Sequence, residues 1–138
     1  MYRLLFIILY LLSGDTPHAG RLIVQVNGIN TEEGGELYTA VFTRENFPKA
    51  GKQFIGKNCV ISAKSISIVF ENIPAGEYAV ASFQDIDKNK KLKTNFIGIP
   101  TEPFGFSNDA RMVRLPSFER SKFTIKENQS IQISITLR

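Results

Sequence analysis

Asp85, Asp87 and Asn89 set side-chain oxygens at alternate positions of one short polar stretch, Asp85-Ile86-Asp87-Lys88-Asn89. In a tight loop such oxygens converge on a point, which is how a hard cation such as calcium is held. The ligand set is incomplete: Lys90 stands where the sharp turn of such a loop takes glycine, and Phe96 where a closing carboxylate belongs. Lys88, Lys90, Lys91 and Lys93 also bring positive charge to the same place, which opposes a cation. The competing reading is an Asx-rich turn, with Asp85 and Asp87 accepting backbone N–H bonds and pairing with those lysines. The first reading requires calcium and the second no cofactor.

The next stretch, Asn95 to Asn108, combines Phe96, Phe104 and Phe106 with Pro100, Pro103, Gly98 and Gly105. That composition predicts irregular chain instead of an ordinary strand or helix, continuing to about Ser121. Irregular segments of this length inside a small domain are uncommon and often functional. Its phenylalanines either fold back as packing or line a groove for a ligand or partner. On the second reading the contact residues are Asn95, Phe96, Pro100, Phe104, Phe106, Ser107 and Asn108.

Other chemistries lack their residues. The one histidine is His18, close to the N-terminus, and there is no Gly-x-Ser-x-Gly elbow or phosphate-cradling glycine loop. Cys59 sits in an apolar context without a histidine to activate it, and is expected to be a buried structural thiol. The net charge of +4 is spread along the chain and forms no nucleic-acid footprint. The protein is therefore expected not to be an enzyme; a hydrolase of unfamiliar type is the weakest alternative.

Arg3 precedes an apolar run over Leu4–Leu12, followed by small residues at Ser13, Gly14, Ala19 and Gly20. The run suits a signal peptide and is too short for a stable membrane span, which takes about 20 apolar residues. The expected organisation is a signal peptide over 1–19 and one domain over 20–138, exported to the periplasm or the extracellular space. With a single cysteine that domain depends on its core, and a chain of this size buries roughly two-thirds of its unfolded surface.

Period-two alternation dominates the rest, the pattern of half-buried strands. Leu22, Val24 and Val26 begin it, and Leu37 to Phe42, Ser65 to Phe70 and Tyr78 to Asp85 continue it. Ile131, Ile133, Ile135 and Leu137 end it, with a register that a one-residue slip would expose. In Ile73-Pro74-Ala75-Gly76, proline pre-sets φ and Gly76 is expected to supply a positive φ. Pro48, Gly51 and Gly56 limit Arg44–Lys57 to about one helical turn. About seven strands with one apolar face each predict an all-β, antiparallel sandwich of two sheets.

Three segments carry a resemblance: Phe70 to Ala79, Asp85 to Asn89, and Gly98 to Asn108, with Pro116-Ser117-Phe118 downstream. Together they resemble domain of unknown function family 2141, a bacterial family. The resemblance implies an exported protein with an immunoglobulin-like or transthyretin-like β-sandwich, and no established activity. Gln84 stands where members often have histidine, Lys90 where glycine is usual and Lys93 where aspartate is usual. The functional expectation is a non-catalytic binding or accessory module for an unknown protein or small ligand, with a cation-stabilised structural domain as the alternative.

Overall fold

The computed structural model describes residues 19–93, 100–110 and 116–138. Most of the expected signal peptide (1–18) and two of the expected contact residues, Asn95 and Phe96, lie outside the described residues.

β1 (Gly20–Asn27) is the centre of the smaller sheet, with Leu22, Val24 and Val26 fully buried as their alternation predicts. On one side it pairs antiparallel with β4 (Ile66–Ile73), whose chain follows β3 (Ile55–Val60) from the other sheet. On its other side lies β8 (Ser130–Thr136), and this pair is parallel, from Arg21↔Ser130 to Asn27↔Thr136. The sandwich is thus not wholly antiparallel. A parallel neighbour needs a long connection, and nearly the whole chain lies between these two strands.

The larger sheet runs in the order β3-β2-β5-β6, with β2 at Glu36–Phe42, β5 at Gly76–Asp85 and β6 at Phe104–Phe106. A further strand, β7 (Phe123–Ile125), pairs with the start of β5 and follows a single helical turn, α1 (Phe118–Ser121). The described strands number eight; short β6 falls inside the stretch expected to be irregular. Three residues suffice there because Phe104 and Phe106 pair with Phe83 and Ala81 across a ladder that β5 already offers.

Leu37, Val41 and Val80 of the larger sheet meet Leu22, Val24, Phe70 and Ile135 of the smaller one in a single core. The sheets also join along one side. Phe104 and Arg138 exchange backbone hydrogen bonds of 3.2 and 3.0 Å. A Cβ on Gly105 would lie 2.5 Å from Ile135 Cγ2 and 2.8 Å from the Thr136 carbonyl oxygen. On the opposite side β3 and β4 are edges, and there Lys57 donates to the Val69 carbonyl while its ammonium lies 5.4 Å from the Phe70 ring. A lysine reaching across an open edge occupies acceptors that another chain could pair with.

Two expectations change. Gly76 is not the positive-φ residue of its turn; Asn72 is, at 57°, a conformation asparagine tolerates. Tyr78 closes that turn by donating its hydroxyl to the Pro74 carbonyl at 2.7 Å. The strands also do not have one apolar face each. Ala40, Phe42, Ala79 and Phe106 form a second cluster with Phe47 and Phe118 on the outer face of the larger sheet. Phe47 touches Phe42, Phe106 and Phe118 edge-on, with centroids 5.7, 5.8 and 6.0 Å away. Arg44 lies 4.7 Å over the Phe118 ring and pairs with Glu77 and Glu119, fastening α1 to this face.

Among the described residues no helix is long and apolar enough to cross a membrane. Since any side chain at Gly105 forces β6 away from β8, Gly105→Ala is expected to lower unfolding free energy by about 1–3 kcal/mol. Urea denaturation followed by circular dichroism measures this.

Candidate functional site

The Asp85 loop leaves the end of β5 with its carboxylates turned on its own backbone. Asp85 is buried; Oδ1 accepts the Asn89 N–H at 3.2 Å and Oδ2 the Lys90 N–H at 2.7 Å. Asp87 Oδ1 shares the Asn89 N–H at 3.2 Å, and Asn89 Oδ1 accepts from Lys91 N–H at 2.8 Å. The ion pairs of the described residues involve Arg21, Arg44 and Lys122. The lysines of this loop are thus not the aspartates' partners; backbone amides are. Lys90 takes φ 63°, the left-handed conformation a glycine would supply, at a cost of order 1–3 kcal/mol.

Glu102 completes this arrangement, and position counting along a twelve-residue calcium loop could not find it. It is buried, its Oε1 accepting from Ile86 N–H at 3.3 Å and its Oε2 from Lys93 N–H at 3.0 Å. Asp85, Asp87 and Glu102 each bring an oxygen within 4.8 Å of the others. Burial raises the Asp85 pKa above the usual carboxylate value, the amides of Lys90 and Asn89 oppose the shift, and the Asp87 carboxylate adds to it. A carboxyl that binds its proton more tightly when folded weakens the fold as pH rises through its folded pKa. The loop's contribution to stability therefore falls as pH rises. Beside it Gln84, fully buried, donates to the Asn30 and Gly34 carbonyls at 2.6 and 2.7 Å and accepts the Asn30 N–H at 2.9 Å. It holds the neighbouring turn.

The expected contact residues divide. Ser107 is fully buried; its Oγ accepts the Val80 N–H at 2.9 Å and donates to the Ser121 carbonyl at 2.5 Å. Asn108, at φ 63°, donates from Nδ2 to the carbonyls of Arg120 and Lys122 at 3.1 and 2.9 Å. These two residues bind the chain to itself. Pro100 is half-buried, next to Thr101, whose N–H meets the Lys93 carbonyl at 2.7 Å. Cys59 is half-buried on edge strand β3, not fully buried as expected, because an edge strand is covered on fewer sides. Burial and the nearby Glu36 charge push its thiol pKa up, away from nucleophilic thiolate.

Phe104 and Phe106 instead face a groove of about 300 Å³ on the outer side of the larger sheet. Strand register shapes it. Tyr38, Phe83 and Phe104 lie side by side in one row, and Ala40, Ala81 and Phe106 in the next. The paired alanines make a trough, with Tyr38 and Phe83, 5.4 Å apart by ring centroids, forming one wall. Gly56 makes room for Tyr38, since a Cβ there would lie 2.7 Å from its hydroxyl oxygen. Pro48, Ala50 and Gln53 form a rim from the β2–β3 connection, and Lys90, Lys91 and Leu92 another from the Asp85 loop. Residues on paired strands thus build the groove, and alternation alone could not find it, since it reads Tyr38, Ala40 and Ala81 as ordinary strand faces.

Replacing Asp85 by asparagine turns one N–H acceptor into a donor: facing Lys90 it leaves that N–H unmet, and facing Asn89 it leaves that N–H to Asp87 Oδ1 alone. Asp85→Asn is expected to lose about 1–3 kcal/mol of stability, as urea denaturation would show.

The comparisons with known proteins give one family. A model described as an uncharacterized protein conserved in bacteria, domain of unknown function family 2141, matches residues 24–133. No curated protein and no solved structure matches the chain. The matched span runs from inside β1 to inside β8 and takes in both sheets, the carboxylate loop and the groove. The chain belongs to this uncharacterised bacterial family, domain of unknown function family 2141.

Proposed function

We propose that the protein is a non-catalytic binding module, exported to the periplasm or the extracellular space, that receives an apolar ligand group in the groove of its larger sheet. The observation that carries this reading is the trough over Ala40 and Ala81, walled by aromatic rings and about 300 Å³ in volume. Small-molecule sites are concave, mostly apolar and rimmed by a few polar groups, and the trough has that composition. A half-buried Ala81 leaves its floor accessible. Support for export comes from the Arg3–Leu12 pattern and the small residues after it; cell fractionation with mass determination of the mature N-terminus tests it.

The groove is tested with 2-naphthol, an uncharged apolar probe, by amide chemical-shift perturbation. Shifts are expected to saturate and to concentrate at Ala40, Ala81 and Phe104. Ala81→Leu fills the trough and is expected to abolish them, while Leu92→Ser weakens them by opening the rim. Scattered shifts, or shifts that survive Ala81→Leu in a protein with unchanged melting, would overturn the reading.

A cation-stabilised structural domain has one observation in its favour: Glu102 joins Asp85 and Asp87 where the sequence offers no closing carboxylate. Four backbone N–H donors already meet these carboxylates in five hydrogen bonds, the Asn89 N–H being shared, and we take the loop as a turn scaffold without a cofactor. The expected result is one melting temperature in millimolar calcium and in chelator. A filled calcium site would add about 2.7 kcal/mol at a hundredfold excess over its Kd, and a calcium-dependent rise would establish the cation reading instead.

A further inference from the structure

We infer that the groove's ligand is a small amphiphilic carboxylate, its apolar body over Ala40 and Ala81 and its charged end at Lys90 and Lys91. This rests on the binding-module reading and adds the chemistry of the ligand. The first observation is size. A groove of about 300 Å³ lies at the lower end for small-molecule sites and suits a body of roughly ten to fifteen non-hydrogen atoms. A longer chain or a peptide would leave most of itself outside.

The second observation is charge. Lys90 and Lys91 are exposed on the rim, and among the described residues no acid lines the groove. The acids of the same loop, Asp85, Asp87 and Glu102, turn to backbone amides, and the ion pairs among the described residues do not include these lysines. The lysines are also placed. The N–H of Lys90 is fixed to Asp85 Oδ2 and that of Lys91 to Asn89 Oδ1, so both side chains start from a pinned backbone. Beside apolar walls an ion pair is screened less than in open water. An ammonium is a compact point charge and meets a single carboxylate well.

The third observation is asymmetry. Lys90 and Lys91 belong to the loop that leaves β5 just beyond Phe83, whereas the Phe42 end of the same face is closed by Phe47. A ligand with one apolar and one anionic end therefore has one orientation.

Isothermal titration with 3-phenylpropanoate, 3-phenylpropan-1-ol and 3-phenylpropylammonium separates the contributions. At low salt the acid is expected to bind about tenfold tighter than the alcohol and the ammonium weakest. The acid's advantage shrinks in about 0.5 M sodium chloride. The double substitution Lys90→Asn with Lys91→Gln is expected to erase the difference between acid and alcohol; asparagine tolerates the left-handed backbone at Lys90. Should the pair melt early, Lys91→Gln alone carries the test, with an expected loss of about threefold for the acid only. Equal binding of acid and alcohol overturns the carboxylate inference and leaves the groove standing. Failure of all three to bind overturns the groove itself.

Discussion

The larger sheet must bury apolar side chains on both of its faces, and most of the molecule follows from that constraint. β2 and β5 send Leu37, Val41 and Val80 toward the smaller sheet and Ala40, Phe42 and Ala79 away from it. A second apolar face left in water forfeits roughly 25 cal/mol for each Å² it could have buried. The cover comes from what is not sheet: Phe47 from the β2–β3 connection, edge-to-face with Phe42 and Phe106, and Phe118 from α1, edge-to-face with Phe47. The cover is uneven. It is close at the Phe42 end and thinner over Ala81 and Phe104, which are half-buried, and the groove is the uncovered part of a face that cannot be made polar without losing the covered part.

The same economy explains the carboxylate loop. A buried aspartate is costly unless hydrogen-bonded, and Asp85 meets two amides, one of them from a residue in the left-handed region. Glu102 then ties the start and end of the loop through the amides of Ile86 and Lys93. The carboxylates act as acceptors for the loop's own amides. A loop of mixed composition thus places Lys90 and Lys91, and none of these acids, among the groove's described lining residues.

The strands with clean alternation were legible in the sequence, because alternation reports burial directly: β1, β2, β4 and β5 fall where their apolar residues recur. β8 was legible as a strand but not as the parallel neighbour of β1, since pairing partners leave no trace in period-two spacing. β6 was hidden by Pro103 and Gly105, which argue against strand when read alone. In the fold Gly105 is the residue that allows β6 to approach Ile135 and Thr136. Of the candidate site, the sequence placed Asp85, Asp87 and Asn89 on one turn; Asp85 and Asp87 do lie together, with Glu102 in place of Asn89, and Glu102 was missed because its proximity is created by chain reversal. Ala40 and Ala81 carry no chemical signal at all; only their registration across two strands makes them a trough.

The Gly105-Phe106-Ser107-Asn108 segment shows how one stretch serves two ends. Its polar residues bond to the chain itself, buried Ser107 to Val80 and Ser121 and exposed Asn108 to the carbonyls of Arg120 and Lys122. Its glycine serves the junction between the sheets. Only the ring of Phe106 reaches the groove, beside that of Phe104, 5.8 Å away by ring centroids. Buried hydrogen bonds fix a backbone more firmly than apolar contact does, because leaving one partner unmet costs about 1–3 kcal/mol. The rings are therefore held by a backbone that is pinned on its far side, and the groove's wall is rigid there. At the Lys90–Leu92 rim the backbone is held by loop amides alone. Shape is set on the aromatic side and charge on the loop side, so a change of ligand preference would be easier at the lysines than at the rings.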